Sequence, residues 1–443
     1  ATPFIFRCDN SRSAKRPNII LYVTDDQGTT DAGCYGNPIV KTPGLDYLAT
    51  KGVRFTHGFS TASSCSPSRA TILTGLYSHA NGQYGLYHSF HNFNSLPYIT
   101  SLPALLAEAG YRTIISGKFH VGPASVYPFQ HYINNYLAKG ASYIPPDEAA
   151  DLCKPHIEKH DSKPFFLYFC PKEPHFPFFR EKADAIDPGD VIMPPYLNDT
   201  PENREKMAKY YMSIQQADQG LVRLIEILRQ SNQWDNTVIM CCSDNGAPFP
   251  GAKTNLYDPG IRLPLVVRNP YSKKSGLVSN AMVSWADIAP TILEFAGVNT
   301  DNMQLHGHSF AGILEDDPPT GWDEIYASQT FHGVTFYYPM RAVRTRRYKL
   351  IWNVESGLDF PGATQLETID DKKSLQLLKN RSNRAYINRS GFELYDLKDD
   401  PQEIENLVEN QKYKSVFEEL RIKLKSFLEK TNDPWYFKYP QAI

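Results

Sequence analysis

The chain carries at residues 18–24 the run Asn-Ile-Ile-Leu-Tyr-Val-Thr, and two aspartates, Asp25 and Asp26, follow it directly. A continuous apolar run of this length is typical of a strand that is buried on both faces. Such strands belong to parallel sheets that are covered by helices on either side. The run therefore predicts a largely parallel sheet, with two carboxylates where this strand ends.

The chain beyond this strand continues to alternate strand-length apolar runs with helical patterns. We predict helices over residues 43–52, 102–109 and 201–229, and strands over residues 111–116, 165–169 and 237–242. This alternation predicts an α/β sandwich. In open sheets of this kind ligands bind beyond the carboxyl ends of the strands, so polar residues from separate stretches are expected to converge there.

The character of the sequence changes after about residue 330. An extended segment is predicted over residues 341–352, a short strand over residues 392–397 and an amphipathic helix over residues 413–428. We therefore expect a large α/β domain over residues 1–333 and a smaller C-terminal α+β subdomain with a short antiparallel sheet over residues 334–443.

Charge and composition exclude several classes of function. The formal net charge of −2 gives no attraction of the whole molecule for a polyanion, so we expect no nucleic-acid partner. No apolar run is long enough to span a membrane, and the polar N-terminal stretch is not a signal peptide, so any secretion signal is expected to be gone already. The seven cysteines do not suggest a disulfide framework, because several lie inside apolar runs.

One short stretch combines a thiol, a proline and an arginine. Its sequence is Cys65-Ser66-Pro67-Ser68-Arg69, and Leu-Thr-Gly follows at residues 73–75. A proline that starts a helix, with an arginine on its first turn, favours anions at the helix N-terminus. A cysteine there is either a nucleophile with a lowered pKa or a half-buried structural thiol, and the residues alone leave both interpretations open.

The pattern Cys-x-Pro-Ser-Arg followed by Leu-Thr-Gly resembles the signature of the type I sulfatases, and the resemblance extends over residues 18–406. It implies an alkaline-phosphatase-like sandwich. It also implies that a formylglycine-generating enzyme converts Cys65 to formylglycine, whose hydrated aldehyde is then the nucleophile.

Four oxygen-bearing residues follow two of the predicted strands: Asp25, Asp26, Asp244 and Asn245. Three carboxylates and an amide oxygen are hard ligands of the kind that binds Ca²⁺ or Mg²⁺. An isolated Asp-Asp pair is more often a turn or a helix cap. In the positions of the family, the resemblance implies a metal site that includes residue 65, with Ca²⁺ expected and Mg²⁺ as the alternative.

Two histidine motifs match elements of the same family, Gly-Lys-x-His ending at His120 and Pro-His-Phe-Pro around His175. The resemblance implies that Lys118, Lys253 and Arg69 hold the sulfate. It further implies that His120 takes the proton of the formylglycine hydrate and that His175 protonates the leaving group.

Further stretches resemble the N-sulfoglucosamine sulfohydrolases more closely than the arylsulfatases. They are residues 64–75, 85–86, 91, 93–95, 120–123, 126–129 and 254–257. This implies hydrolysis of the N-sulfate of glucosamine in heparan-type saccharides. It makes His79, His91, Glu173 and His332 candidate substrate contacts, although each is equally interpretable as a surface polar residue.

Two departures from that subfamily keep an O-sulfatase acting on another sulfated polysaccharide as an alternative. The stretch between His175 and Tyr210 is shorter than in the human-type enzyme, and Gly333 stands where an acidic residue is expected. A phosphomonoesterase or phosphonate hydrolase of the same fold is disfavoured because extra histidine ligands are missing. An inactive glycan-binding relative is disfavoured because every nucleophile and metal position is present.

The expected partners are a sulfated saccharide and the maturing enzyme, with no membrane and with a homodimer left open. We expect an extracytoplasmic location, which means periplasmic, secreted or lysosomal. A basic cluster could steer a sulfated chain, but such runs are more often a solvated strand face. Its members are Arg341, Arg344, Arg346, Arg347 and Lys349.

Overall fold

The apolar runs assemble into one sheet in the computed structural model, which describes residues 16–134, 142–159, 163–181, 183–315, 320–361 and 383–443. The strands are β1 (Asn18–Thr24), β2 (Val53–Phe59), β3 (Arg112–Gly117), β4 (His131–Asn134), β5 (Phe165–Cys170), β6 (Thr237–Ser243), β7 (Arg262–Arg268) and β8 (Leu277–Ser284). They form an eight-stranded sheet in the order β4-β3-β5-β1-β6-β7-β2-β8.

Strand β1 occupies the middle of this sheet, and all of its residues are buried. It pairs in parallel with β5 on one side and with β6 on the other. Among the described strands of the sheet, β7 alone is reversed, since it pairs antiparallel with both β6 and β2. The prediction of a largely parallel sheet is confirmed.

Helices cover both faces of the sheet. They are α1 (Pro43–Thr50), α2 (Cys65–Thr74), α3 (Ser78–Asn81), α4 (Leu102–Glu108), α5 (Pro146–Ile157), α6 (Pro201–Gln230), α7 (Asp258–Ile261) and α8 (Ile288–Phe295). Alternate residues of β1 pack on opposite sides: Ile19 and Leu21 share a core with α2, α4 and α8, whereas Ile20 and Tyr22 share one with α1, α5 and α6. Side chains that alternate along a strand therefore bury both faces, as the continuous apolar run indicated.

The C-terminal part forms a second, smaller sheet. Its strands are β9 (Glu324–Phe331), β10 (Tyr337–Thr345), β11 (Tyr348–Asn353) and β12 (Phe392–Asp396), in the order β12-β11-β10-β9, and all neighbours are antiparallel. The helices of this part are α9 (Asn383–Ile387), α10 (Lys414–Lys430) and α11 (Pro434–Lys438). The apolar face of α10, with Leu420, Leu424 and Leu428, packs on Val343 and Leu350 of the sheet.

Two features of this second sheet differ from the expectation. The segment predicted as extended over residues 341–352 is a hairpin, because Arg346 and Arg347 form a turn between β10 and β11. Strand β9 already belongs to the small sheet, although it precedes residue 333. The domain boundary after residue 333 stays a prediction.

Each residue of the basic cluster in this region forms an ion pair with at least one carboxylate. The ion pairs are Arg341 with Asp433, Arg344 with Asp258, Arg346 with Asp323, Arg347 with Asp396, and Lys349 with both Asp258 and Glu403. Arg341, Arg344 and Lys349 are buried, so the expectation of a solvated face was wrong for these three. Lys349 joins the two parts of the chain, because Asp258 belongs to α7 at the large sheet.

The described helices include none with the length and apolar character that crossing a membrane requires.

Candidate active site

The carboxyl ends of β1 and β6 bring four polar residues together. The two strands are parallel neighbours in register from Asn18 with Thr237 to Thr24 with Ser243. The residues that follow them, Asp25-Asp26 and Asp244-Asn245, are therefore adjacent and have no exposed surface. The backbone N–H of Asp26 donates to Oδ1 of Asp244 over 3.0 Å. Nδ2 of Asn245 donates to Oδ1 of Asp26 over 2.7 Å.

Cys65 is the first residue of α2 and points at this cluster of oxygens. Its Sγ lies 3.5 Å from Oδ1 of Asp25 and 3.7 Å from Oδ1 of Asp26. One ligand atom from each of Asp25, Asp26, Cys65 and Asp244 fits within a mutual distance of 4.8 Å. The sequence thus predicted correctly that these stretches meet.

The thiol of Cys65 is neutral in this environment. Burial raises its pKa well above the ordinary value, and the charges of Lys118 and Lys253 offset only part of that effect. A thiol needs the opposite shift to act as a thiolate nucleophile. This direction gives no support to the reactive thiolate, one of the two interpretations that the residues left open.

Three cations neutralise the three carboxylates. Lys118 pairs with Asp25, Nζ of Lys253 lies 2.7 Å from Oδ2 of Asp26, and Nε of Arg69 lies 2.8 Å from Oδ2 of Asp244. Arg69 has no exposed surface and Lys118 is 3% exposed. Charges that are buried to this extent require such partners. The three pairs balance in charge, so a divalent cation held by the carboxylates would give the site the positive charge that an anionic substrate needs.

His120 and His175 both lie beside this cluster. His120 takes a left-handed backbone conformation, with φ of 53°, and its Nε2 lies 2.5 Å from Nδ1 of His88. Burial, followed by the charge of Lys118, lowers the pKa of His120 well below its ordinary value, so the ring is neutral. Nε2 of His175 lies 3.8 Å from Oδ2 of Asp26, and that side chain keeps some exposure to solvent.

Two of the candidate substrate contacts line the same site. Nδ1 of His332 lies 2.8 Å from Oγ of Ser64, the residue before Cys65, and burial lowers the pKa of His332 well below its ordinary value. The ring of His91 lies 5.5 Å from that of His88, and its Nδ1 accepts from the N–H of Val334.

Glu173 holds Asp25 in place through a backbone hydrogen bond. Its carbonyl accepts the backbone N–H of Asp25 over 3.0 Å. Its carboxylate is buried and accepts from the hydroxyl of Tyr143. Burial raises the pKa of Glu173 to about 7. This position favours a role in placing Asp25, and the substrate contact expected for Glu173 stays a prediction.

His79 is not brought to this cluster. Its Nδ1 lies 3.3 Å from Oδ2 of Asp433, and its ring centroid lies 5.9 Å from that of Tyr77 and 5.7 Å from that of His306. Burial lowers the pKa of His79 to about 3. Helix α3 directs this side chain under the C-terminal helices α10 and α11, and no described contact supports the substrate role that the resemblance implied.

His88 is a site residue that the sequence analysis missed. It lies in a loop that also holds His91, so the local abundance of histidine was visible. Which ring reaches His120 depends on the path of that loop, and no motif encodes it. The geometry makes His88 the partner that orients His120.

The donor set fits a hard divalent cation. Oδ1 of Asn245 is buried and has no hydrogen-bond partner, although an amide oxygen in that position needs one. It stands with Asp25, Asp26 and Asp244, whose carboxylates prefer Ca²⁺ or Mg²⁺ to softer ions. These four residues could hold such an ion.

The chain is similar to known proteins over most of its length. Residues 17–298 match the family model described as Sulfatase, and residues 252–360 match the one described as N-sulphoglucosamine sulphohydrolase, C-terminal. The N-sulphoglucosamine sulphohydrolase of Homo sapiens is 35% identical, over 95% of this chain and 91% of the human protein. An ulvan-active sulfatase of Formosa agariphila is 30% identical, over 96% of this chain and 82% of that protein.

A solved structure in complex with its substrate D-glucosamine-2-N,6-O-disulfate shares the fold. It superposes with a TM-score of 0.73 at 23% identity, over 95% of this chain and 99% of that one. The predicted alkaline-phosphatase-like sandwich is confirmed.

Proposed function

This chain belongs to the sulfatase family, and from that premise we propose that it hydrolyses the N-sulfate of glucosamine in heparan-type saccharides. The observation that carries the proposal is the meeting of Asp25, Asp26 and Asp244 with Cys65 inside a ring of buried cations. The match of residues 252–360 to the N-sulphoglucosamine sulphohydrolase model supports the N-sulfate as the bond that is cleaved.

Residue 65 and a divalent cation have separate roles in the hydrolysis. Matured to formylglycine, residue 65 supplies a hydrated aldehyde as the nucleophile, and a bound divalent cation, expected to be Ca²⁺, supplies positive charge beside it. Sγ of Cys65 stands for the hydrate oxygens in the structure. Asp25, Asp26, Asp244 and Asn245 would hold the cation.

The three buried cations then act on the sulfate. Lys118, Lys253 and Arg69 already surround the carboxylates, so their charges are fixed before a substrate arrives. Fixed charges of this kind stabilise the negative charge that builds on the sulfate oxygens in the transition state, and they need no reorganisation.

Two histidines are placed to transfer protons in the reaction. His120 is neutral, because burial and Lys118 lower its pKa, and its Nδ1 is buried without a hydrogen-bond partner. It can therefore accept the proton of a hydroxyl on residue 65. His175 keeps contact with solvent and lies beside Asp26, where it can protonate the nitrogen of the departing glucosamine.

An O-sulfatase is the second candidate, and Gly333 favours it. A Cβ at this position would lie 2.6 Å from Cε1 of His91, so an acidic side chain would have to displace that ring. The site therefore differs from the expected subfamily pattern at the edge where the sugar is expected. The relative named as an ulvan-active sulfatase, at 30% identity, is compatible with this alternative. Extracytoplasmic location and a homodimer stay predictions of the sequence.

Release of sulfate from defined saccharides tests the proposal. The protein is co-expressed with a formylglycine-generating enzyme and is assayed on N-sulfated, 6-O-sulfated and 2-O-sulfated glucosamine-containing saccharides. We expect release from the N-sulfated sugar and a loss of more than about 1,000-fold in Cys65→Ala. Cys153→Ala removes a buried thiol of α5 and is the matched control, with activity retained. Release from O-sulfated sugars alone would contradict the N-sulfate assignment.

A further inference from the structure

A second cavity lies between the large sheet and the C-terminal part. Its volume is about 380 Å³, within the range of about 300–1,000 Å³ that is common for small-molecule sites. The loop after β1, at residues 28–31, forms one wall, and Leu397 and Ile404 of the C-terminal part form another.

This cavity is separate from the candidate active site. None of the nucleophile, metal and sulfate residues assigned above lies on its wall. Tyr210 lies between the two, because its hydroxyl is 3.1 Å from the carbonyl oxygen of Asp26 and 2.9 Å from Oδ2 of Asp31, and Asp31 lines the cavity.

Three arginines line the cavity, namely Arg54, Arg262 and Arg344. Arg344 is 3% exposed and its Nε is buried without a hydrogen-bond partner. Arg54 lies over the ring of Tyr35, at 5.1 Å from the centroid, and forms no ion pair within the described part of the chain. A buried guanidinium with a free donor is a ready partner for an oxyanion.

The carboxylates of the cavity leave this positive charge in excess. Asp258 pairs with Arg344 and with Lys349. Arg262 donates Nε and Nη2 to the carbonyl of Thr56, so no carboxylate pairs with it in the described residues. Burial, followed by the charges of Arg262 and Arg344, lowers the pKa of the neighbouring His57 to about 4.

The remaining wall suits the faces and hydroxyls of a sugar. Rings line it on several sides: Tyr35, Tyr196, Tyr257, Pro194, Pro195 and Pro259. The rings of Tyr196 and the prolines offer surface that packs against the apolar faces of a pyranose, whereas Arg54 already lies over the ring of Tyr35 and Arg389 over that of Tyr257. The carboxylate of Asp31 and the hydroxyl of Thr30 offer acceptors for sugar hydroxyl groups.

We propose that this cavity is a second, non-catalytic binding site for a sulfated saccharide, with a guanidinium group holding the sulfate. The inference rests on the proposed function only for the choice of ligand, since the cavity takes no part in hydrolysis. It assigns to Arg54, Arg262 and Arg344 a binding role that is independent of Cys65.

Calorimetric titration of Cys65→Ala tests this site, because that substitution blocks turnover and leaves binding as the only event. The probes are an N-sulfated glucosamine disaccharide, its unsulfated analogue and inorganic sulfate. We expect Arg54→Gln, made in the same background, to weaken one binding event of the sulfated disaccharide by about tenfold or more. Tyr196→Leu, which removes a wall ring and no charge, is expected to weaken the same event.

The matched control is Arg229→Gln. Arg229 also lies over an aromatic ring, that of Tyr47 at 4.8 Å, but it does not line the cavity. Unchanged binding in Arg54→Gln would overturn the inference, and so would equally tight binding of inorganic sulfate or of the unsulfated disaccharide at this site. A failed sulfate-release screen would remove the proposed function and would leave an Arg54-dependent binding event intact.

Discussion

His120 and His88 form a pair of rings inside the site, with their nitrogens 2.5 Å apart. His120 is 2% exposed, and the charge of Lys118 lies next to it. Both effects disfavour the imidazolium form, so His120 is available as a proton acceptor at neutral pH. His88 adds to the same effect and restrains the orientation of the ring.

At the scale of these residues we predict that His88→Ala shifts the pH profile of kcat/KM. His88 contributes to the lowered pKa of His120, so its removal raises that pKa. A base works only while it is deprotonated, and the acid limb of the profile therefore moves to higher pH. We also expect kcat to fall by about 10- to 100-fold because the orienting bond is lost.

The readout for this variant is the initial rate of sulfate release across the pH range. His308→Ala is the control, because that side chain is 65% exposed and lies beside Asp287, away from the site. An unchanged acid limb in His88→Ala would show that His88 does not act on His120.

At the scale of elements, the ends of two parallel strands and the start of one helix form the candidate active site. The register of β1 with β6 places Asp25-Asp26 beside Asp244-Asn245, and α2 brings Cys65 to them. Asp26 adopts φ of 71°, a left-handed conformation that aspartate tolerates better than most residues. This turn directs its carboxylate to the shared cluster.

These strand ends predict a stability that depends on Ca²⁺. A ligand that binds only the folded state stabilises it by about 2.7 kcal/mol at a concentration of 100 Kd. We expect Ca²⁺ to raise the Tm and a chelator to lower it, and Asp26→Asn to abolish the rise. Asp31→Asn, which changes a nearby half-buried carboxylate outside the ligand set, should keep it. Thermal unfolding of the protein with Cys65 unconverted is sufficient to measure these Tm values. A Tm of the unsubstituted protein that does not change with Ca²⁺ would contradict the metal site.

At the scale of the whole molecule, the carboxylate of Asp433 at the start of α11 meets residues from both parts of the chain. Nε of Arg341 on β10 lies 2.6 Å from Oδ2 of Asp433, and Oδ1 of Asp433 accepts the N–H of Trp435 at the start of α11. His79 of α3 stands 3.3 Å from the same carboxylate. This arrangement gives His79 a place in the contact between the two parts of the chain.

We predict that Asp433→Ala strongly destabilises the protein. It leaves the charge of Arg341 buried without its partner, which costs about 3–5 kcal/mol of unfolding free energy. Glu324→Gln removes the half-exposed pair with Lys423 and should cost less than about 1 kcal/mol. Urea unfolding measures both values. Sulfate release at low temperature should survive, since the described contacts of Asp433 include no residue of the Cys65 cluster.

Much of this architecture follows from local patterns. The run at residues 18–24 is strand β1, and the predicted helix over residues 201–229 is α6. Strands β2, β4, β7, β8 and β9 and helices α5 and α8 are among the elements that were not predicted. The reversal of β7 between β6 and β2 could not be inferred, because the direction of a strand depends on which neighbours its backbone meets. For the same reason, the hairpin turn at Arg346 and Arg347 could not be predicted from the sequence.

By itself, the sequence determined which residue types the centre holds, since Cys65, the carboxylates and the cations each lie in a short motif or directly after an apolar strand. Only the tertiary structure decided which histidines meet. It paired His88 with His120, placed His332 beside Ser64 and directed His79 to Asp433. Local periodicity fixes an element and its faces, whereas contacts between side chains from distant loops depend on how the whole chain packs.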